Sequence, residues 1–405
     1  MQDKSLRPVT GAGRILSLDV LRGVAVLGIL IMNIQSFSMP SAAYINPTAY
    51  GDLTGFNKWI WILSHLLASE KFMSLFSMLF GAGVVLFSEN AESKGYNSAT
   101  LHYRRMGWLL LFGLIHAYFF WYGDILVNYS LCGMLIFLFR KKQALSLIWM
   151  GFGFFMVPLI LDNLFAWSIP YWPEEAIEST LHSWSPDSES LAHELEAMRG
   201  AWQDRMGIRV PATIFMQTGY FMMGSFWRVM SMMLLGMALF KWKILSALRP
   251  DSFYFRMVAV GLVTGYAISG LGLVLNFRDG WSMEFSMFTG SQFNYLGSLG
   301  VALGYAGAVM LLCKRDGFNR FKKLFASVGR MAFTNYILMT LICVFLFNGA
   351  GLALFGTVER GMQVLIMIGI WILLLLISSH WMKHFRFGPL EALWRRMTYW
   401  RAWKL

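Results

Sequence analysis

Read for its alternation of apolar and polar positions, the chain falls into apolar runs of about 20 residues separated by short charged segments. Ten runs stand out, near 16–37, 70–89, 106–122, 125–139, 144–164, 219–240, 257–275, 293–313, 331–348 and 361–381. A helical run of this length can cross the ~30 Å hydrocarbon core of a bilayer, and a helix satisfies every backbone polar group on the way. The pattern therefore predicts an all-α fold, a polytopic transmembrane helical bundle of about ten spanning helices plus short interfacial helices. The apolar stretch 58–68 is too short to cross and is expected to lie at the interface or to re-enter; 213–220 is a similar lead-in. Residues 1–405 read as a single transmembrane domain, with the polar segment 163–210 inserted in it as an extracytoplasmic cap. Pro170, Pro173 and Pro186 break the first half of that segment, while Ser188 to Arg205 has helical spacing.

Charge refines the picture by giving an orientation. Lys4, Arg7 and Arg14 precede the first run, and every even-numbered run is followed by basic residues: Arg104 and Arg105, Arg140 to Lys142, Lys241 and Lys243, Lys314 and Arg315, and finally Arg386, Arg395, Arg396, Arg401 and Lys404. The opposite loops hold few. By the positive-inside bias both termini are expected in the cytoplasm, with the first run acting as its own insertion signal in a multi-pass protein of the plasma membrane. The net charge of +12 thus belongs to topology and not to nucleic acid. A lipid bilayer and a small-molecule or glycan substrate are the expected partners, with a possible homo-oligomer. The composition, 57% hydrophobic and 14% charged, agrees, since soluble domains carry about 25% charged residues. Cys132, Cys313 and Cys343 are scattered, and no paired spacing suggests a metal.

Against this apolar background the polar residues become informative. The first run, RILSLDVLRGVAVLGILIMN, carries Asp19 and Arg22 in its first turns and Asn33 near its far end. A charge inside a spanning segment costs roughly 2.5–3.5 kcal/mol on insertion scales and marks a functional site by default. Asp19 and Arg22 are i, i+3 neighbours on one face. Arg22 and Asn33, three turns and ~16 Å of rise apart, share that face. The plain alternative is that this stripe only joins the helix to its neighbours.

In KFMSLFSMLFGAG, Phe72, Phe76 and Phe80 form one face, and Ser74, Ser77, Gly81 and Gly83 are small enough for close helix packing. Lys71 either snorkels to the surface or faces a substrate. The run 104–140 reads as a hairpin with a tight turn at Gly123 and Asp124. His116 lies ~16 Å in from Arg105, near the bilayer middle, where an imidazole suits proton transfer or is simply a satisfied buried group. Asp124 can orient it, read substrate hydroxyls or cap the next helix. Trp121 suits an interfacial belt or a sugar-stacking floor. Arg228 is a further candidate for the same cavity. Arg330 and Arg386 sit at the basic surface, where guanidinium groups form bidentate bonds to phosphate; for Arg395 and Arg396 the alternative is a topology signal with lipid contacts. The chain has no Walker loop, GxSxG elbow or HExxH.

Taken in order, SLDVLRGVAVLGILIMNI, KFMSLFSMLFGAG, LLLFGLIHAYFFWYGDILVNYSLCGMLIF, VGRMAFTNYILMT and FRFGPLEALWRRMTY resemble the YeiB family of bacterial membrane proteins over nearly the whole chain. Transport has been suggested for that family. The first run is also similar to a wider superfamily of membrane acyltransferases that includes heparan-alpha-glucosaminide N-acetyltransferase. The shared pattern falls on Arg14, Ser17, Asp19, Arg22, Gly23 and Asn33. Acyltransferase-3 proteins have histidine where this chain has Asn33. The glucosaminide enzyme's catalytic histidine falls where this chain offers Tyr44 and no nearby histidine.

The resemblance implies transfer of an acyl group from cytosolic acyl-CoA, as donor substrate and with no metal expected, to an extracytoplasmic acceptor. Arg22, Arg330 and Arg386 are the expected donor phosphate ligands, and Asn33 a donor to the thioester oxygen. His116, oriented by Asp124, is the expected base. Asp19, Lys71, Arg228 and Trp121 are the expected lining of the acceptor cavity. The alternative is a secondary transporter or exporter of a small polar or anionic solute, with the same residues as proton relay and counter-ions.

Overall fold

The computed structural model describes residues 15–399, and they are helical from end to end. Arg14, the other basic residues of the N-terminal segment, and Arg401 and Lys404 lie outside the described residues. Among those described, seven helical stretches are long and apolar enough to cross a membrane. Counting as one span a pair bent by 78°, Asp316–Arg330 with Ala332–Phe347, makes eight. The expected ten is therefore approximate, and the two remaining runs show why. Helix α5 (Ser98–Phe119) has the length, at 22 residues, but its Arg104, Arg105, His102 and His116 dilute its apolar character. Helix α6 (Leu126–Ile136) extends as an apolar helix only to Phe139, shorter than a spanning helix needs.

Helix α1 (Leu16–Ser38) runs through the middle, with eighteen of its residues buried, and the one-turn α2 (Ala42–Ile45) follows it. Around it stand α3 (Gly55–Ala68), α4 (Lys71–Ser93), α7 (Ala144–Ser168), α11 (Phe226–Lys241), α12 (Asp251–Arg278), α13 (Ser291–Lys314), α15 (Ala332–Phe347) and α16 (Arg360–His384). The short apolar lead-in at 58–68 is a helix of its own, α3. It joins α4 across Ser69 and Glu70, where Glu70 has φ +65°, a left-handed conformation that a residue with a Cβ seldom takes. The helices approach closely where Cβ atoms are missing. A Cβ on Gly81 would stand 2.0 Å from the Met233 carbonyl oxygen, and one on Gly236 would stand 1.9 Å from that of Met78. Backbone thus meets backbone between α4 and α11, as expected for small residues in a bundle where lipid supplies no hydrophobic drive between helices. Gly83 faces open space and plays no such part. Phe72, Phe76 and Phe80 pack on Tyr305 and Tyr129, so this face is structural.

Two ends of the bundle differ in kind. At the basic end, α14 (Asn319–Arg330) is a 12-residue helix lying across the start of α1. Its Phe321, Leu324, Phe325 and Val328 recur at helical spacing on one side, and Arg320, Lys323, Ser327 and Arg330 on the other. Gly329 presses on the Asp19 carbonyl, where a Cβ would come within 1.9 Å. The chain then turns at Met331 into α15. The exposed N–H groups of that helix start are capped by Glu391 of α17 (Pro389–Tyr399), which accepts from Phe333 N at 2.7 Å and Thr334 N at 3.1 Å.

At the opposite, cap end, the polar insert forms α8 (Glu174–Trp184), α9 (Ser188–Arg199) and the start of α10 (Trp202–Gln217). Pro173 precedes the first turn of α8, where proline costs no hydrogen bond. The insert docks on the bundle through Ser41 N to Glu194 (2.9 Å), Asn46 to the Trp184 carbonyl (3.1 Å) and Gly349 N to the Met198 carbonyl (3.0 Å). Burial pushes the Glu194 carboxyl upward, partly offset by its bonds to Ser41.

Candidate functional site

Three polar centres arise from these elements. The first is a cavity of about 600 Å³ at the basic end, between α1, α14 and α16. The polar side of α14 supplies Arg320, Lys323, Ser327 and Arg330; α16 adds Ser379 and Lys383, and α1 adds Asp19. Four cations thus face one carboxylate. Asp19 is also bound by Arg22, Nη1 to Oδ1 at 3.1 Å, which leaves that carboxylate already compensated and the cavity net positive. Of the sequence-predicted donor ligands, Arg330 lines this cavity. Arg386 is exposed beside it and accepts from Arg330 through its backbone carbonyl at 3.0 Å. Arg22 adjoins the cavity through its bond to Asp19.

The second centre is a chain of three side chains where α5 turns toward α6, near the cap end. His116 of α5 is 2% exposed; its Nδ1 lies 2.7 Å from Asp124 Oδ1 and its Nε2 3.0 Å from Thr340 Oγ1 of α15. Asp124, at the hairpin turn, accepts from Val127 N at 2.7 Å through its other oxygen. Of the three roles foreseen for it, its contacts match two, orienting the histidine and capping α6. Trp121 is buried beside this chain, its ring 6.4 Å from that of His116 and stacked at 4.2 Å on Phe37 of α1. Its indole N–H is buried without an acceptor. On its far side lies a small cavity that Ser36, Tyr122, Arg209 and Asn348 also line.

The third centre lies between α4, α11 and α13, toward the cap end. Arg228 is 3% exposed. It pairs with Glu70 at 3.3 Å, donates to Ser74 Oγ (2.9 Å) and Ser298 Oγ (2.6 Å), and lies 4.5 Å above the Tyr295 ring. Its Nε is buried without a partner. Lys71, fully buried, donates to the His65 carbonyl and to Asn294 Oδ1. It does not snorkel. Glu70 also interacts electrostatically with Tyr44, Asp162 and Tyr220, and a third of its side chain meets solvent. The backbone is irregular on every side of this centre. Besides Glu70, wide π-helical turns at Phe221–Ser225 and Phe285–Gly290 lead into α11 and α13, just before Arg228 and Asn294. Such turns are frequent at functional sites.

The structure thus brings Lys71 and Arg228 together but sets Asp19 and Trp121 in the other two centres. Asn33 is half-buried on α1, one turn before Ser36, whose hydroxyl meets Tyr122 at 3.1 Å. Among the described residues no hydrogen bond joins Asn33 to His116 or to Arg22. Sequence reasoning missed Thr340, Glu70, Asn294 and the cationic side of α14. Only the last had a readable signal, charges at helical spacing opposite four apolar positions.

Comparison with known proteins fits this architecture. Residues 239–401 match the family described as protein of unknown function DUF418. Over 95% of its length the chain is 31% identical to the uncharacterized protein YeiB of Escherichia coli, covering 96% of that protein. It is 32% identical to the uncharacterized protein YxaH of Bacillus subtilis over 98% of its length and 96% of the relative. A 39.9 kDa protein encoded in the amylase 3′ region of Bacillus acidopullulyticus is 27% identical over 97% of the chain. No solved structure matches. With two relatives above 30% identity along nearly their whole length, and a helical bundle of membrane-crossing character, the chain belongs to the YeiB family of membrane proteins.

Proposed function

We propose that the protein is a membrane acyltransferase that takes an acyl group from a cytosolic acyl-CoA at the basic end and passes it to a glycan or small-molecule acceptor at the cap end. The observation that carries this reading is the cavity of Arg320, Lys323, Arg330 and Lys383 beside α1. Four cations on adjoining helices suit a ligand with several phosphates, because each guanidinium can bind a phosphate bidentately and each ammonium adds a point charge. The positive-inside bias puts this end toward the cytosol, where the donor is made. Asp124 and His116 supply an oriented base, and the Glu70, Lys71 and Arg228 centre supplies polar groups near the cap end for an acceptor.

The test is binding followed by turnover. Purified protein in detergent should be stabilised by acyl-CoA and by CoA, and at 100 times Kd a ligand raises stability by about 2.7 kcal/mol. Reversing charge with Arg320→Glu and Lys323→Glu together should weaken binding at least ~10-fold. Absence of binding across short- and long-chain acyl-CoAs removes the reading. The second reading, a transporter of a small polar or anionic solute, draws on the third centre, whose strained backbone and unpartnered Arg228 nitrogen resemble a solute site more than a packing contact. Solute flux in sealed vesicles under a pH gradient, with no thioester turnover, selects it.

A further inference from the structure

The surroundings of His116 constrain what it can do. Its Nδ1 faces a carboxylate at 2.7 Å, so that nitrogen carries the proton and Nε2 presents its lone pair. The partner at Nε2 is the Thr340 hydroxyl at 3.0 Å, nearer to that hydroxyl than the other acceptor within its reach, the Tyr336 carbonyl one turn back at 3.3 Å. His116, Asp124 and Thr340 are all nearly sealed, at 2%, 6% and 1% exposure. With both ring nitrogens taken, His116 has no open position for an acceptor hydroxyl or amine. The first proton it accepts therefore comes from Thr340, and Nε2 opens to another group only once Thr340 has lost that hydrogen. Hydroxyl, imidazole and carboxylate in sequence, each at hydrogen-bond distance, form an activated nucleophile with its base and an orienting third group.

From this geometry we infer that Thr340 is a nucleophile that carries the acyl group as an ester between donor and acceptor; this rests on the acyl-transfer reading. In the first half-reaction Thr340 Oγ1 bonds to the thioester carbonyl carbon and its proton passes to His116 Nε2. The carbon–sulfur bond breaks, and the thiolate leaves as CoA thiol with that proton. In the second, the acceptor oxygen or nitrogen bonds to the ester carbonyl and gives its proton to His116. The carbon–oxygen bond then breaks, and Thr340 regains its hydrogen. Asp124 holds the ring and balances the imidazolium in both. The buried indole N–H of Trp121, without an acceptor of its own, is a candidate to meet the carbonyl oxygen as it turns negative. A carrier on α15 also gives the group a resting place inside the bundle, so donor and acceptor need never meet.

The probe is isotopically labelled acetyl-CoA with the full-length protein in proteoliposomes and no acceptor. Two readings are taken: exchange of label between acetyl-CoA and free CoA, and peptide mapping of a hydroxylamine-labile acetyl ester. Wild-type protein should exchange and carry the ester on Thr340. Thr340→Val, nearly isosteric, and His116→Gln should lose exchange at least ~100-fold, while Thr340→Ser retains exchange and ester. Because the ester is mapped on wild-type protein, poor folding of a variant cannot hide the answer. Exchange within twofold of wild type in Thr340→Val, or an ester mapped to another residue, overturns the assignment and leaves acyl transfer standing. So does wild-type protein that binds acetyl-CoA and neither exchanges nor labels, since transfer would then be direct. Protein that binds no CoA thioester overturns the assignment together with the reading beneath it.

Discussion

The Asp124–His116–Thr340 chain and the Glu70–Lys71–Arg228 centre are both polar islands among apolar helices, yet they are built on opposite plans. In the first, every hydrogen-bonding side-chain atom has a partner and the helices that supply it are regular. In the second, a guanidinium nitrogen is left over, a carboxylate is one-third exposed, and three backbone irregularities surround the charges. A satisfied array costs little to hold and fixes one geometry. A cluster with orphaned atoms and strained backbone persists only because the packing around it overrides those costs, the usual condition of a site meant to meet something else. The contrast separates a fixed relay from a receptive centre, and mutation can test it.

The largest effects belong to the receptive centre and should be asymmetric. Glu70→Gln leaves Arg228, 3% exposed, without its carboxylate and should cost about 3–5 kcal/mol. Arg228→Met leaves Glu70, which water already reaches, and should cost clearly less. Thermal or denaturant unfolding in one detergent compares them directly, and equal losses would show that the two charges are equally sealed. Next comes the relay. His116→Ala strands a buried Asp124 carboxylate with one backbone N–H, a loss of about 2–4 kcal/mol. Asp124→Asn keeps a hydrogen-bonding group at both positions and should cost less than half as much. Were Asp124→Asn the more damaging, its capping of α6 would outweigh its hold on the histidine. A single bond to a serine hydroxyl ranks below these: Ser298→Ala removes one of several acceptors around Arg228 and should cost about 0.6 kcal/mol, the mean for interhelical bonds in membranes.

Legibility followed the same division. Periodicity revealed what depends on neighbours in sequence: the apolar runs, the Asp19–Arg22 pair, the close approach at Gly81 and the cap role of Asp124. It also marked His116, Lys71 and Arg228, because a charge or imidazole in an apolar run is conspicuous. It could not reveal their partners. Thr340 lies 224 residues from His116 and Asn294 lies 223 from Lys71, and neither a threonine nor an asparagine stands out in a membrane helix. Glu70 was overlooked because it reads as a charge beside a boundary, and its left-handed φ depends on tertiary packing. The 78° bend at Met331 also left no mark, since its cap, Glu391, comes from another helix 60 residues on.

The smallest effect lies outside the membrane runs, in the loop after α1, and it tests how far the satisfied plan extends. Asp52 accepts from Thr54 N at 2.9 Å, Thr54 Oγ1 at 2.7 Å and Asn57 Nδ2 at 3.0 Å. The bond from Asn57, then those from Thr54, hold its carboxyl below the usual carboxylate range, with Arg360 adding to them. The ionised form is therefore the one the fold favours. Its contribution should be fully present above the unfolded value of about 4 and should fade as pH falls through the lower, folded value. Asp52→Asn should remove that acid-side loss while changing stability little at neutral pH. Asn57→Ala should move the Asp52 titration back toward the ordinary range and also free Glu359, which shares the same amide at 3.2 Å. Unfolding midpoints measured between pH 3 and pH 7 decide it. If the acid-side slope is the same with and without Asp52, these loop bonds form no more strongly in the folded protein than in the unfolded chain.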